Sequence, residues 1–418
     1  MLSTTYQRCL LVGALGVTLG SFTPTRAQDW PQWRGVNRDG IAVGVRLPRS
    51  WPRTLEKVWK VEIGEGHSGP VTAGGKVVIQ ARQANKEVIL CLRKEDGERL
   101  WKNVYTAEFT PESYAKKHGK GPFATPTIQD GKVFTVGIRS VVHCLDLENG
   151  KQIWRRTFKP KFKKPYPLWG ASSSPLIEGN LCIVGIGTED DGALTALEKS
   201  SGKTVWQLDH LDPSYSSAVA ADLTGERQIV ALARTRLVGL APATGKVRWE
   251  RPYIVQYEQN AVTPTVAKNL VVCSGWKKDT ECTRILKAGD RLTAQKVWSN
   301  SESTFFMSSP VILKGHIFGL AQRNKGSLVC LDLQDGKRKW SSPGRIGDYA
   351  SIVGVENQLL ILTTDGDLVV VAAEPTSYRE IHRTQVASSA VWAHLTVTGD
   401  RIYVKDKKHL TAYALPKF

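Results

Sequence analysis

The chain has 418 residues, 41% hydrophobic and 23% charged, which are globular values and exclude a disordered protein. Its formal net charge is +18, a balance that favours acidic partners or anionic surfaces. Its seven cysteines form no CxxC pair and no HExxH or CxxC…H spacing occurs, so the sequence gives a structural zinc site no support.

Taken in chain order, the first element is an export signal. Arg8 is a small positive n-region, Cys9 to Leu19 an apolar run of h-region length, and Thr25-Arg26-Ala27 places small residues at −3 and −1. The run is too short to span a bilayer, and no later stretch approaches a membrane span. The context of Cys9 lacks the small residues of a lipoprotein site. The expectation is a soluble, periplasmic or secreted chain beginning near Gln28. Cleavage after Ala27 removes Arg8 and Arg26 and leaves a charge of +16. Export argues against chromosomal nucleic acid as a partner.

After an N-terminal segment, residues 28–56, the sequence becomes periodic. Five eleven-residue stretches align without gaps: CLRKEDGERLW (91–101), CLDLENGKQIW (144–154), ALEKSSGKTVW (196–206), GLAPATGKVRW (239–249) and CLDLQDGKRKW (330–340). Each places a glycine four residues before a tryptophan: Gly97/Trp101, Gly150/Trp154, Gly202/Trp206, Gly245/Trp249 and Gly336/Trp340. Trp298 ends a lengthened copy, Trp59 precedes the first complete unit, and a worn copy, VAAEPTSYREI, puts Ile381 at the tryptophan position. Successive positions are 42, 53, 52, 43, 49, 42 and 41 residues apart, the period of a propeller blade and too long for leucine-rich or ankyrin repeats.

Strand and turn signals fill each period. In the third unit Pro175 opens a first strand, where a missing N–H is tolerated, and Glu178-Gly179-Asn180 is a hairpin turn. LCIVGI and ALTALE are the second and third strands around a polar TEDDG loop, and Ser200-Ser201-Gly202 turns into the fourth. The chain ends with three strands, Ala390–Val397, Arg401–Lys405 and His409–Leu415, and begins with a lone fourth strand at Trp59. Pairing these closes the ring and leaves no exposed sheet edge between blades. The fold expected is all-β: one eight-bladed propeller of four-stranded antiparallel blades over residues 57–418. Trp59, Trp101, Trp154, Trp206, Trp249, Trp298 and Trp340 dock the blades. Cys91, Cys144 and Cys330 share one repeat position and read as small buried hydrophobes. Cys273 and Cys282 are spaced so that a hairpin could bring them together, and a disulfide between them depends on geometry the sequence does not show.

The unit A-x-D-x-x-[TS]-G-x-x-x-W, followed by SP or TP at the next blade, resembles the tryptophan-docking repeat of pyrroloquinoline quinone (PQQ) propellers. Asp29-Trp30-Pro31-Gln32-Trp33-Arg34-Gly35 with Arg38-Asp39-Gly40 is similar to the leading segment of PQQ-like repeat proteins. The resemblance implies one of two activities: a quinoprotein dehydrogenase with PQQ and calcium, or a cofactor-free, BamB-like envelope scaffold. The first would need an adjacent cysteine pair, which is missing, and a calcium-ligand motif, which no stretch matches. Asn260 and Asp190-Asp191 are isolated imitations of oxygen ligands. The scaffold reading is preferred, with no catalytic residue, cofactor or metal expected. A dehydrogenase with a reduced site, or a carbohydrate- or peptide-binding module, are the alternatives.

Ahead of each inner strand lie His67, Phe123, Trp169, Tyr215, Asn260, Phe306, Tyr349 and Trp392, which the repeat places around the channel mouth, where a peptide, glycan or planar ligand would suit them. Lys116, Lys117, Lys120, Lys159, Lys161, Lys163, Lys164, Lys277 and Lys278 fall in connections on the same face. The partner expected is therefore an envelope protein or glycan with anionic character, bound by a monomer.

Overall fold

The computed structural model describes residues 29–158, 169–186, 193–208, 211, 214–322 and 325–416. The export signal, Asp190, Asp191, Lys159, Lys161, Lys163 and Lys164 lie outside these. The strands form eight four-stranded antiparallel sheets, each in sequence order except the last. Blade 1 comprises Val71–Ala73, Lys76–Gln83, Lys86–Arg93 and Arg99–Thr106. Blades 2 to 7 cover 127–157, 176–208, 219–252, 265–300, 311–341 and 350–385. Blade 8 combines Thr396–Val397, Arg401–Lys405 and His409–Ala414 with the first strand of the chain, Lys57–Glu62, which pairs with the last.

Position within the blade explains the composition of each strand. Second and third strands, such as Lys76–Gln83 and Lys86–Arg93, are buried at six central positions each, because neighbouring blades cover both faces, and they read as apolar runs. Fourth strands lie at the perimeter and alternate; Gln152–Thr157 is buried only at Trp154. In every blade a register shift falls just before the docking position, for example between Cys144 and Leu145 opposite Ile153. This bulge extrudes one residue and re-aims the next. It leaves Leu100, Ile153 and Val205 exposed while burying the adjacent tryptophans.

Each re-aimed indole lies against the following blade. A Cβ on Gly150 would sit 2.6 Å from Trp101, and one on Gly202 2.7 Å from Trp154. Gly97, Gly245 and Gly336 receive Trp59, Trp206 and Trp298 in the same way. These five glycines have φ between 69° and 76°, so they supply both the turn and the close approach. The indole N–H then donates to a carbonyl of that next blade: Trp59 to Lys94 O at 2.9 Å, Trp101 to Leu147 O at 2.9 Å, Trp154 to Lys199 O at 3.0 Å and Trp298 to Leu333 O at 2.9 Å. Opposite each tryptophan on its own blade is a small residue, including Cys91, Cys144, Cys282 and Cys330.

Two joints depart from the pattern. Blade 5 extends its third and fourth strands to Ala288 and Arg291, and its turn glycine, Gly289, meets nothing. Trp249 therefore folds onto its own blade, over Gly239, and donates to Gln228 Oε1 at 2.7 Å. In blade 7 the docking position is held by His382, which pairs with Val370. Ile381 is the extruded residue, because the turn is two residues longer than the ungapped alignment assumes. Trp51 of the N-terminal segment stacks on His382, with centroids 5.9 Å apart and planes at 11°. Val45, Leu47 and Leu55 fill the rest of that joint.

One further expectation is corrected, and two points that the sequence leaves open are answered. Cys273 pairs with Glu281 and Cys282 with Val272. The one-residue offset points the two thiols to opposite faces, into different cores, and both are free. The strand expected from Ala390 begins only at Thr396, because residues 390–395 cross the channel mouth. The channel itself is filled. From Asp29, which accepts from Gly74 N at 3.0 Å, the N-terminal segment enters the axis. Trp30, Pro31 and Gly40 carbonyls accept from Thr72, Ile128 and Gly354 amides at 2.8 Å. Arg34 donates to Pro310 O in blade 6, and Arg38 to Ser174 O and Pro175 O in blade 3, at 3.0 and 2.8 Å.

Replacing Trp154 by Ala should lower stability by about 3–5 kcal/mol, whereas Ile153→Ala, one residue away but extruded, should change it by less than about 0.5 kcal/mol. Equilibrium urea unfolding of the two variants checks this. Equal losses would show that indole docking is not what holds the blades.

Candidate functional site

The connections from fourth to first strands and from second to third strands emerge on one face, called the top. There, half-buried rings make a continuous arc across five blade joints. Trp276 and Phe306 have centroids 4.9 Å apart, Phe306 and Tyr349 6.2 Å, and Tyr349 and Trp392 5.2 Å. Trp392 stacks on His67 at 5.3 Å and 14°, and His67 meets Phe123 at 4.8 Å. Trp169 and Tyr215 form a separate edge-to-face pair at 5.6 Å. Asn260 presents nothing to the mouth. It is fully buried, and its amide nitrogen braces Ala233 O and Arg234 O at 2.7 and 2.9 Å.

Over this arc folds an arch, residues 107–122, whose short 3-10 helix Ser113–His118 carries Lys116 and Lys117, with Lys120 just beyond it. Buried Arg82 braces the two feet of the arch. Its Nε donates to Lys120 O at 3.0 Å and to Gly121 O at 3.3 Å, and its Nη1 to Ala107 O at 3.0 Å. Glu87 in turn pairs with Arg82 at 3.4 Å and accepts from Tyr105 Oη at 2.6 Å and from Ile138 N at 3.1 Å. Burial raises the Glu87 pKa against these partners. His118, at the end of the helix, contacts Trp392 at 5.0 Å. Lys116, Lys117 and Lys120 are exposed, and among the described residues none has an ion pair. Lys277 lies 5.9 Å over Trp276, while Lys278 is partly neutralised by Glu281 at 3.5 Å.

Beneath the arc the N-terminal segment acts as a plug in the axis and forms a floor. Trp33 donates its indole N–H to Thr263 Oγ1 at 3.0 Å and meets the buried His394 edge-on at 5.0 Å. Sequence reasoning did not assign Trp33, Arg34, Arg38, His118 or Trp276 to this region. The WPQWRG stretch was visible, but nothing in its spacing says that it turns into the channel.

The residues present do not fit PQQ with calcium. The axis is occupied by the chain's own Trp33, Arg34 and Arg38. Only the amide nitrogen of Asn260 is committed, to main-chain carbonyls, and its buried Oδ1 has no oxygen companions among the described residues. The mouth adds the Gln322 amide and an Asp348 carboxylate already paired with Arg345, where a hard cation needs several convergent carboxylate or amide oxygens. Among the described residues no cluster of three His, Cys, Asp or Glu side chains is placed to hold a metal.

Burial pushes the pKa of His394 and of His143 down to about 3, and burial with the nearby charges of His118 and Lys405 does the same for His67. Below pH ~6.5 the unfolded chain takes up protons that these folded imidazoles refuse. Their contribution is therefore complete above pH ~6.5 and is lost as the pH falls toward 3. Each would cost on the order of 2 kcal/mol near pH 5. The melting temperature should drop from pH 7.5 to 5, and His143→Gln should flatten that drop. An unchanged slope would mean that His143 titrates normally.

Among known proteins, the family model described as outer membrane protein assembly factor BamB matches residues 85–342. A curated relative of that name from Moranella endobia is 24% identical over 60% of this chain and 66% of its own length. The chain thus spans about two thirds of that relative. The crystal structure of BamB from Moraxella catarrhalis superposes with a TM-score of 0.63 at 16% identity, over 87% of this chain and 99% of that one. A quinohemoprotein alcohol dehydrogenase from Pseudomonas putida HK5 superposes with 0.60 at 12%, over 93% and 80%. These structural likenesses are of fold alone. With the family model covering more than half of its residues, this chain belongs to the outer membrane protein assembly factor BamB family.

Proposed function

We propose that the chain is a non-enzymatic scaffold of the bacterial envelope, exported by its N-terminal signal, that serves outer membrane protein assembly by holding a partner protein on its top face. The observation that carries this reading is the braced arch. Three lysines without ion pairs among the described residues stand on a loop whose feet are pinned by a buried arginine–glutamate pair, beside a row of half-buried rings. A rigid scaffold presenting loops is where binding residues concentrate. Rings at the centre with cations at the rim match the anatomy of protein interfaces. Membership of the BamB family supports assembly as the process, and the filled channel supports a cofactor-free ring. The expected partner surface is acidic.

A photo-crosslinker at Lys116 should capture an outer membrane assembly component in cells, whereas one at Gly225, on the opposite face, should not. With that component purified, affinity should fall about tenfold or more between about 50 and 300 mM salt. Lys116→Glu with Lys120→Glu should weaken binding by a similar factor at low salt without moving the melting temperature. Capture from Gly225 alone, or salt-independent affinity, would overturn the reading. So would dye reduction by alcohols in the presence of PQQ and calcium.

A further inference from the structure

We propose that the channel mouth between blades 6 and 8 binds the end of an acidic oligosaccharide, a hexose ring carrying a carboxylate or sulfate. This site lies on the same top face as the surface assigned to a partner protein and shares Lys117, Tyr349 and Trp392 with it, but it is read by free saccharides without that partner. The proposal stands or falls without that reading.

The plug turns the mouth into a blind cup. Its inner chamber, about 70 Å³, is lined by Trp33, Met307, Tyr349, Trp392 and His394. Beside it lies an outer cleft of about 460 Å³ between Lys117, Gln322, Lys325, Asp348, Tyr349 and Trp392. Tyr349 and Trp392 belong to both. At about 30 Å³ per water, the chamber takes a ring substituent and not a ring. The outer cleft falls in the ~300–1,000 Å³ range of small-ligand sites. A blind cup of this size admits a chain end or a side group and not a chain running through.

The chemistry of the walls selects the ligand. Tyr349 and Trp392, 5.2 Å apart with planes at 38°, line the cleft together and give it an aromatic wall of the kind that suits the apolar C–H surface of a sugar. Gln322 and Asp348 add an amide and a carboxylate at the rim for hydroxyl groups. Charge complementarity fixes the sign. Lys117 and Lys325 flank the cleft with no ion pair among the described residues, whereas Asp348 already holds Arg345 at 2.9 Å. The rim is therefore short of negative charge.

An acidic peptide shares the charge but fits less well. Peptides that bind by adding a strand to an exposed sheet edge gain affinity from main-chain pairing. Here inner-edge amides of blades 1, 2 and 7 are taken by the plug, through Trp30 O, Pro31 O and Gly40 O. Recognition in the cup falls to side chains, which a hydroxyl-rich ring uses and an extended backbone does not.

The test is tryptophan fluorescence and calorimetric titration of the full mature chain with four hexamers: oligogalacturonate, a sulfated heparin fragment, neutral maltohexaose and hexaglutamate. Saturable binding of either acidic saccharide, at least about tenfold tighter than both maltohexaose and hexaglutamate, supports the site, and the one that binds names the anion. Tyr349→Ala should weaken it about tenfold and Lys325→Glu about fivefold. Because Trp392 also stacks on His67, these two variants are preferred to Trp392→Ala, and unchanged melting temperatures show that they fold. Hexaglutamate binding as tightly as the saccharides would assign the cup to peptides. Equal maltohexaose binding would remove the charge argument, and no binding of any acidic saccharide would overturn the proposal.

Discussion

An indole lying flat on a glycine of the next blade is the contact on which the rest of this ring depends. It works only if the glycine has no Cβ and the tryptophan is turned out of its own sheet. The bulge before the docking position and the positive φ of the turn glycine are thus two halves of one device. The exceptions show what the device requires. Where blade 5 lengthens its hairpin, the receiving glycine moves away, and Trp249 is accommodated by Gly239 on its own blade. Where blade 7 carries a histidine, the N-terminal segment brings Trp51 from outside the repeat. In both cases a large planar group still fills the joint, because two sheets packed face to face leave about 10 Å to fill.

Docking at the perimeter leaves the axis unsolved. Inner strands converge there and are short, three residues in blades 1, 2 and 3, and their free edges point inward. Neighbouring inner strands are tied by hydroxyls: Thr127 donates to Pro175 O at 2.6 Å, and Thr396 to Pro70 O at 2.6 Å. Amides are received the same way, with Gly69 N donating to Thr125 Oγ1 and Thr125 N to Ser174 Oγ, at 3.0 and 2.9 Å. This is what the SP and TP pairs of the repeat do. The hydroxyl joins blades, and the proline gives up an amide that would have no partner.

The sequence carried the perimeter more clearly than the centre. A tryptophan and a glycine at fixed spacing report a contact between blades because both residue types are rare and geometrically demanding. The third unit's LCIVGI and ALTALE coincide with strands Leu181–Ile186 and Ala193–Glu198. Ring closure followed from counting strands at the two ends. The mouth was legible only as a list of positions. His67, Phe123, Phe306, Tyr349 and Trp392 do meet, but Asn260 turned inward to satisfy carbonyls, and Trp276 and His118 joined from loops that the repeat alignment does not address. Non-periodic segments leave no spacing to read. The plug, the arch and the segment 390–395 are all of this kind.

The chemistry of the plug follows from the same geometry. A channel lined by strand edges presents main-chain carbonyls, among them Ser174 O, Pro175 O and Pro310 O, and these need donors once water is excluded. Arginine offers five N–H groups and no acceptor, so Arg34 and Arg38, both fully buried, serve as spokes from the axis to blades 6 and 3. The cost of burying them shows in their pKa values, lowered by desolvation to about 10 and about 9, both still high enough for the guanidinium to stay charged. A hydrophobic plug would fill the same volume and leave the carbonyls unpaired, at about 1–3 kcal/mol each. The ring therefore spends buried charge to close its own axis. The result is a ring whose axis is built from the chain's own residues, with Trp33 as the floor beneath the mouth.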